Sequence, residues 1–286
     1  MVRMRYSVGL RYEVHDSTAD FIFNFHAAQT ARQVVVAESL QLTPALMAEP
    51  HTEPGLLNRR LRVRAPRGHF SVTYTATVDV DHVLTPAEQL FEVPIAELPL
   101  DVVTFLAPSR YCESDRLMEF ALREFGGCER GYRLVITIRD WVCRYVRCVS
   151  QSTNERTSAV DTLVERKGVC RDYAHLMIAL CRALSIPARF CSSLDYGADP
   201  GMGPADFHAF VEVFVGQHWY LVDPSNAAVP MGLLRIGTGR DAADIPIAMV
   251  FGNVTPSRPL VQIEAVASIA PGFSMPVDTA QGISTW

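Results

Sequence analysis

The sequence predicts an α+β protein with a β-rich first part and a second part in which helices precede an antiparallel sheet. Changes in the spacing of apolar residues along the chain predict this fold class. Apolar and polar residues alternate with a period of two in residues 6–14 and 70–80, as in half-buried strands. From about residue 114 the apolar residues recur at helical spacing, and the period of two returns after the last predicted helix. We therefore predict a β-sandwich-like domain over residues 1–105 and a helix-and-strand domain over residues 106–286.

The first domain is predicted to consist of several short antiparallel strands. Three further segments have strand composition, namely DFIFNFHAA, RQVVVAESLQL and RLRVRAP. Turn-forming residues separate the predicted strands: Pro44, Pro50, Pro54-Gly55 and Pro66-Arg67-Gly68. Strands at this spacing are typical of an antiparallel sandwich. The proline-rich segment FEVPIAELPLDVVTFLAPS is expected to lead out of this domain.

Composition excludes several classes of function. The chain has 286 residues, 49% of them hydrophobic and 20% charged, with a net charge of −5. This balance indicates a globular protein and gives no basic surface for nucleic acid or an anionic membrane. No segment approaches the ~18 consecutive apolar residues of a membrane span. The alternating N-terminus looks like a strand rather than a secretion signal, so we expect a cytoplasmic protein with no nucleic-acid or membrane partner.

The seven cysteines give little sign of a metal or redox site. None of them forms a CxxC pair, so we expect no metal and no cofactor. In the cytosol most thiols stay reduced and behave as small buried apolar groups. The oligomeric state is left open by the sequence.

The helices of the second domain can be placed from their apolar stripes. They are predicted in SDRLMEFALREFGG, LVITIRDWVCRYVRCV, TSAVDTLVERKG and a segment that begins at Cys170 and ends at Ile186-Pro187. Strands are predicted in ARFCSSLDY, FHAFVEVFV and HWYLVDPS. The glycine- and proline-rich loop within residues 195–207 is expected to border a cleft.

Cys170 stands at a predicted helix start, where chemistry and packing are both possible roles. The first amides of a helix have no partners within the helix, and the peptide dipoles place partial positive charge there. Both effects stabilise a thiolate, the form that attacks a carbonyl carbon. Position alone does not distinguish this role from that of a packing cysteine.

The next two predicted strands bring a histidine and an aspartate onto one face. If Gly216-Gln217 forms a two-residue turn, Phe210 lies opposite Asp223. His208 is then the diagonal neighbour of Asp223, at ~7–8 Å between backbones, which is within side-chain reach. Asp223 could orient the His208 ring, and His208 could accept the proton of Cys170.

These segments together resemble the transglutaminase-like superfamily, and more narrowly its bacterial putative cysteine proteases. The resemblance covers GVCRDYAHLMIALCRALSIPARF, DFHAFVEVFVGQHWYLVDPS and the Gly-Arg-Asp-Ala-x-Asp-Ile-Pro segment at 239–246, within residues 130–252. It implies a papain-like α+β core with a catalytic triad of Cys170, His208 and Asp223. It also fits a β-rich N-terminal domain.

The resemblance implies acyl transfer from a peptide or protein amide through a thioester. Transfer to water would make the protein a peptidase or amidase, and transfer to an amine would make it a transglutaminase. A binding module that keeps the fold without catalysis is the alternative from another class. A zinc site made by the same three side chains is a further alternative, although no additional Cys/His pair supports it.

Three other side chains are candidates for the substrate cleft. Trp219 shares the predicted face of Asp223, although packing within the hairpin is its alternative role. Asp172 follows the nucleophile closely and could instead cap the helix. Asp206 lies beside the loop that leads into His208. The amide of Cys170 is a natural oxyanion donor, and His175 is expected to be structural because it points about 140° away around the helix.

Overall fold

The computed structural model describes residues 1–197, 205–267 and 271–286. Its helices are α1 Leu100–Val103, α2 Met118–Phe125, α3 Tyr132–Tyr145, α4 Ala159–Glu165 and α5 Cys170–Ala183. Its strands are β1 Val2–Phe23, β2 Gln33–Thr43, β3 Ala48–Thr52, β4 Arg59–Val80, β5 Val83–Thr85, β6 Arg147–Cys148, β7 Lys167–Gly168, β8 Ala188–Asp195, β9 His208–Val215, β10 His218–Val222, β11 Leu233–Gly239, β12 Ala248–Phe251, β13 Val254–Pro256, β14 Leu260–Ala265 and β15 Gly282–Ser284. The α+β class is confirmed. No helix in the described ranges is long and apolar enough to cross a membrane.

The first sheet is built on two strands, β1 and β4, of 22 residues each. They pair antiparallel along most of their length, and β2 and β3 extend the sheet beyond β4. On the other side of β1 the neighbours are β12, β13 and β14, which come from the far end of the chain.

Both long strands bend back on themselves and enclose an aromatic core. The pairing of β1 with β4 changes register between Val14 and Thr18, and Gly68 at the bend of β4 has a φ of +109°. The ring centroids of Tyr12 and Phe21 consequently lie 4.9 Å apart, although a straight strand between them would span about 30 Å. A folded-over sheet therefore supplies the sandwich-like arrangement. The prediction of a turn at 66–68 that separates two strands is wrong, because both halves belong to β4.

The second sheet carries the helices and has the order β11-β8-β9-β10-β15-β5. One face packs against α5 through side chains such as Phe190, Val211 and Val213. Leu194 of β8 and Ile236 of β11 join the apolar core of the first sheet. The second sheet thus packs against α5 and also shares side chains with the core of the first sheet.

The two sheets exchange strands across the predicted domain boundary. β5 precedes that boundary but pairs with β15 in the second sheet. β12 to β14 follow it but pair with β1 in the first sheet. The division at residues 105 and 106 stays a prediction, and a cut there would leave both sheets without some of their strands.

Candidate active site

The start of α5 is organised by a buried carboxylate. Asp172 is fully buried, and its Oδ2 accepts the N–H of Val169 at 2.8 Å while its Oδ1 accepts the hydroxyl of Thr153 at 2.9 Å. A Cβ on Gly168 would lie 2.7 Å from the Cβ of Asp172, so only glycine leaves room for this cap. The spacing Gly-x-Cys-x-Asp therefore places Cys170 at the first position of the helix, where it is half-buried.

Contacts further along α5 hold the helix against the rest of the domain. The hydroxyl of Tyr173 donates to the carbonyl of Val146 at 2.6 Å. The fully buried ring of His175 stacks on Tyr111, and its Nε2 accepts the N–H of Ala242 at 3.2 Å. Burial, and to a smaller degree nearby arginines, lowers the pKa of His175 well below its ordinary value, so this ring is neutral. These contacts agree with the structural role expected for His175.

The hairpin of β9 and β10 has the register predicted from the sequence. Gly216 and Gln217 form the turn with φ values of 56° and 67°, and Phe214 pairs with Trp219. At the open end of the hairpin, Nε2 of His208 lies 3.3 Å from Oδ2 of Asp223.

Asp223 is fixed by groups of the loop that follows β10. Its Oδ1 accepts the N–H and the hydroxyl of Ser225 at 2.9 and 2.7 Å, and its Oδ2 accepts the N–H groups of Ala227 and Ala228, each at 3.2 Å. Burial alone would raise the pKa of Asp223, but the His208 charge and the Ser225 hydrogen bonds outweigh it and lower the pKa. Asp223 is therefore an ionised carboxylate aimed at the imidazole.

The electrostatics of His208 show that Cys170 and Asp223 are both its neighbours. Burial disfavours the charged ring, because only 7% of His208 is exposed. The Asp223 carboxylate and the Cys170 thiol together outweigh that burial, and the pKa of His208 is raised well above its ordinary value. The structure thus brings the three side chains of the predicted triad together.

Asp195, which no sequence pattern singles out, approaches the other nitrogen of the same ring. Its Oδ2 lies 3.6 Å from Nδ1 of His208, and its side chain is 10% exposed. Ser193 of β8 pairs with His208 of β9, so Asp195, two residues further along β8, lies on the same face. The proximity could not be read from the sequence, because the segment between these strands is too long for a two-residue turn to fix their register. Residues 198–204 of that predicted cleft-bordering loop lie outside the described residues.

The three cleft candidates have different surroundings. Trp219 packs against Phe105 and Phe214 and under the guanidinium of Arg189, in a core at the turn end of the hairpin. Asp172 is the buried helix cap described above, so it is not a wall of an open cleft. Asp206 is exposed and accepts the N–H of Phe207 at 2.7 Å.

The other cysteines differ from Cys170 in their environments. Cys112, Cys181 and Cys191 are fully buried, and burial raises the pKa of each thiol, to about 12 for Cys112 and Cys181. Cys148 is exposed. It lies in β6 and pairs with Gly168 of β7, two residues before Cys170. Within the described ranges no group of three His, Cys, Asp or Glu side chains is arranged to hold a metal ion.

A cavity of about 470 Å³ lies beside the Asp223 end of the site. Its walls come from α3, from the end of β10 and from the segment that contains Asp278, and Arg139 of α3 lines it together with Asn226. Asp223, although buried, therefore lies at the wall of an open space.

Comparison with known proteins identifies the family. Residues 119–224, which contain all three positions of the predicted triad, match the model of the transglutaminase-like superfamily, and residues 2–101 match the bacterial transglutaminase N-terminal domain. The crystal structure of a putative cysteine protease from Cytophaga hutchinsonii is similar, with a TM-score of 0.90, 40% identity, and coverage of 100% of this chain and 98% of that chain.

Mycobacterial relatives extend the likeness at the level of sequence. An uncharacterized protein of Mycobacterium leprae is 23% identical over 267 residues, which are 88% of this chain and 94% of that protein. One of Mycobacterium tuberculosis is 29% identical over 242 residues, 75% of this chain and 76% of its own. On the strength of the family models and the structural match, the chain belongs to the transglutaminase-like superfamily.

Proposed function

We propose that the protein is a cysteine-dependent enzyme that transfers the acyl group of a peptide or protein amide to water. The observation that carries the proposal is the position of His208 between a half-buried thiol at a helix start and an ionised, fully hydrogen-bonded Asp223. A buried histidine with a raised pKa is poised to hold the proton of its neighbouring thiol at neutral pH.

In this mechanism His208 takes the proton of Cys170, and the thiolate attacks the amide carbonyl carbon. The N–H of Cys170, at the start of α5, is a donor for the oxyanion that forms. His208 then gives its proton to the leaving amine as the C–N bond breaks, which leaves a thioester on Cys170. Water, deprotonated by His208, attacks the thioester, and the acid and the free thiol are released.

Transfer to an amine uses the same steps with an amine in place of the water, so the triad is equally suited to a transglutaminase. Hydrolysis is the reaction that we propose first, and we propose that the protein works in the cytoplasm. The seven cysteines are all unpaired in the described chain, which agrees with a reducing compartment.

The proposal is tested by the reactivity of the thiols. After brief treatment with iodoacetamide at pH 7, peptide mass mapping should find Cys170 labelled at least about tenfold faster than Cys148, the exposed thiol nearby. Equal labelling of Cys170 and Cys148 would contradict the proposal. Cys148→Ala serves as the matched control and should keep the fast label.

Activity is tested with a mixed peptide library as substrate. Cys170→Ala should abolish amide cleavage and leave the urea unfolding midpoint close to that of the unmodified protein. Adding a primary amine to the reaction separates the two outcomes, because a transglutaminase would yield the amide of that amine instead of the free acid.

A further inference from the structure

His208 has a carboxylate on each side of its ring, and only one of them belongs to the predicted triad. Asp223 lies 3.3 Å from Nε2, and Asp195 lies 3.6 Å from Nδ1. We propose that Asp195 is a second positioning residue, which holds the His208 ring in its plane and stabilises the imidazolium form. This inference rests on the proposed role of His208 as the proton carrier of the site.

Burying the Asp195 carboxylate is unfavourable unless the charge of the His208 ring offsets the loss of solvation. Its side chain is 10% exposed, and its carboxylate lies within ion-pair distance of His208. Burial raises the pKa of Asp195, and the nearby carboxylates of Asp223 and Asp206 act in the same direction, while the charge of His208 opposes them. A buried carboxylate surrounded by other carboxylates is unfavourable for folding. Attraction to the charged ring of His208 is the interaction that offsets this cost.

The proximity follows from the regular geometry of the sheet rather than from a loose loop. Ser193 and His208 are direct partners on β8 and β9, and Asp195 is the residue at which β8 ends. On one face of an antiparallel pair, the residue two positions from a direct partner is a diagonal neighbour at ~7–8 Å. Asp195 therefore reaches the ring from a rigid element, as a positioning group should.

The chemical consequence concerns the state of the ring after it has taken the thiol proton. One N–H of the protonated ring carries the thiol proton and faces the Cys170 thiolate, while carboxylate oxygens lie 3.3 Å from Nε2 and 3.6 Å from Nδ1. Asp223 and Asp195 thus stabilise the positive charge of the ring from opposite sides and resist rotation of the ring about its Cβ–Cγ bond. No bond forms or breaks at Asp195, and it transfers no proton.

The charged and titratable groups around the ring are few enough to name. Cys170 faces it from α5, Asp195 from β8, and Asp223 from the loop after β10. Asp206 acts on Asp195 from the segment before β9. Removing the negative charge nearest to Nδ1 should therefore lower the pKa of His208.

The test is a titration of His208 by NMR, using protein with isotope-labelled histidine and Asp195→Asn as the variant. The pKa of His208 should fall by about one unit or more, because a carboxylate within about 4–6 Å commonly shifts a neighbour by that amount. Ser193→Ala, on the same strand and buried, is the structural control and should leave the pKa of His208 unchanged. Asp206→Asn removes a more distant charge and should produce a smaller shift.

A second measurement follows the rate of Cys170 alkylation by iodoacetate against pH. The carboxylate of this reagent is attracted to the imidazolium, so the rate should decline as His208 loses its proton. That decline should move to lower pH in Asp195→Asn. An unchanged His208 titration in Asp195→Asn, or an equal shift in Asp206→Asn, would overturn the inference.

Failure of the proposed function can be told apart from failure of this inference. If Cys170 in the unmodified protein alkylates no faster than Cys148, the proposed function fails. The NMR comparison of Asp195→Asn with its controls still decides the role of Asp195, since it needs no turnover.

Discussion

His26 and His208 are buried to the same extent, with 7% of each residue exposed, yet their pKa values move in opposite directions. His26 lies in the core of the first sheet, stacked on Phe25 and against Tyr74. Burial, helped by the charge of Arg59, lowers its pKa to about 4. His208, in the second sheet, has a raised pKa because of Asp223 and Cys170.

The difference teaches that burial alone makes a histidine neutral and inert, and that placed neighbours make it reactive. In the first sheet the neighbours of His26 are mainly aromatic rings, and the region serves as a scaffold. In the second sheet the neighbours of His208 are two carboxylates and a thiol. Three predictions use this contrast, in order of decreasing effect.

Asp223→Asn should have the largest effect, because it removes the charge that keeps His208 protonated. We expect turnover to fall about 10³–10⁴-fold, by analogy with other triads that lose their acid. The pKa of His208 should fall toward the low value of His26. Steady-state kinetics and the NMR titration of His208 measure the two effects.

Asp278→Asn is the control for that experiment. Asp278 is exposed and lines the same cavity as Asp223, so the variant removes a nearby charge without touching the ring. Similar losses in both variants would show that the field of the whole cavity matters rather than the contact between Asp223 and His208.

Gly168→Ala should have an intermediate effect on stability and reactivity. The added methyl would lie 2.7 Å from the Cβ of Asp172, so the cap of α5 must move and Cys170 with it. We expect a loss of about 1–3 kcal/mol in the free energy of unfolding and slower alkylation of Cys170. Urea unfolding and timed labelling measure both.

Gly127→Ala provides the comparison for this substitution. Gly127 is exposed, with no neighbouring atom within 4 Å of an added Cβ, so the variant should match the unmodified protein. If Gly168→Ala were equally silent, close packing of Asp172 on Gly168 would not be what positions the helix start.

His26→Phe should have the smallest effect, and one confined to stability below neutral pH. The folded protein keeps His26 neutral down to about pH 4, whereas the unfolded chain binds its proton near pH 6.5. Acidification from pH 7 to pH 5 therefore favours the unfolded chain, by about 1–2 kcal/mol for this one group. His26→Phe should remove that part of the loss.

The measurement is urea unfolding at pH 7 and pH 5. The difference in unfolding free energy between the two pH values should shrink in His26→Phe, with no change in the alkylation rate of Cys170. An unaltered difference would mean that His26 is not held neutral by its burial.

The sequence was sufficient for the hairpin and the helix start, because both depend on short-range rules. A two-residue turn with positive φ at Gly216 and Gln217 sets the register, and parity then puts His208 and Asp223 on one face. The spacing of Gly168 and Asp172 around Cys170 is likewise local. Such features can be read from a single sequence.

Asp195 and the shape of the first sheet could not be read in this way. The partner of β9 is set by packing of β8 against α5 and the first sheet, since every residue of β8 except Asp195 itself is buried and no alternation shows its faces. Likewise β1 continues through polar residues 15–18, which look like a connection between strands, because pairing with β4 holds them. Tertiary pairing decides both cases.

The strand exchange bears on the order of events in folding. β15 occupies the place between β10 and β5, so Ile283 pairs with both Leu221 and Leu84. Closing that contact joins positions about 200 residues apart, and such distant pairings form slowly. α5 can form from local contacts, whereas the hairpin that carries His208 gains its outer neighbour only after this closure. Completion of the second sheet beside that hairpin would therefore be one of the last steps in the folding of the molecule.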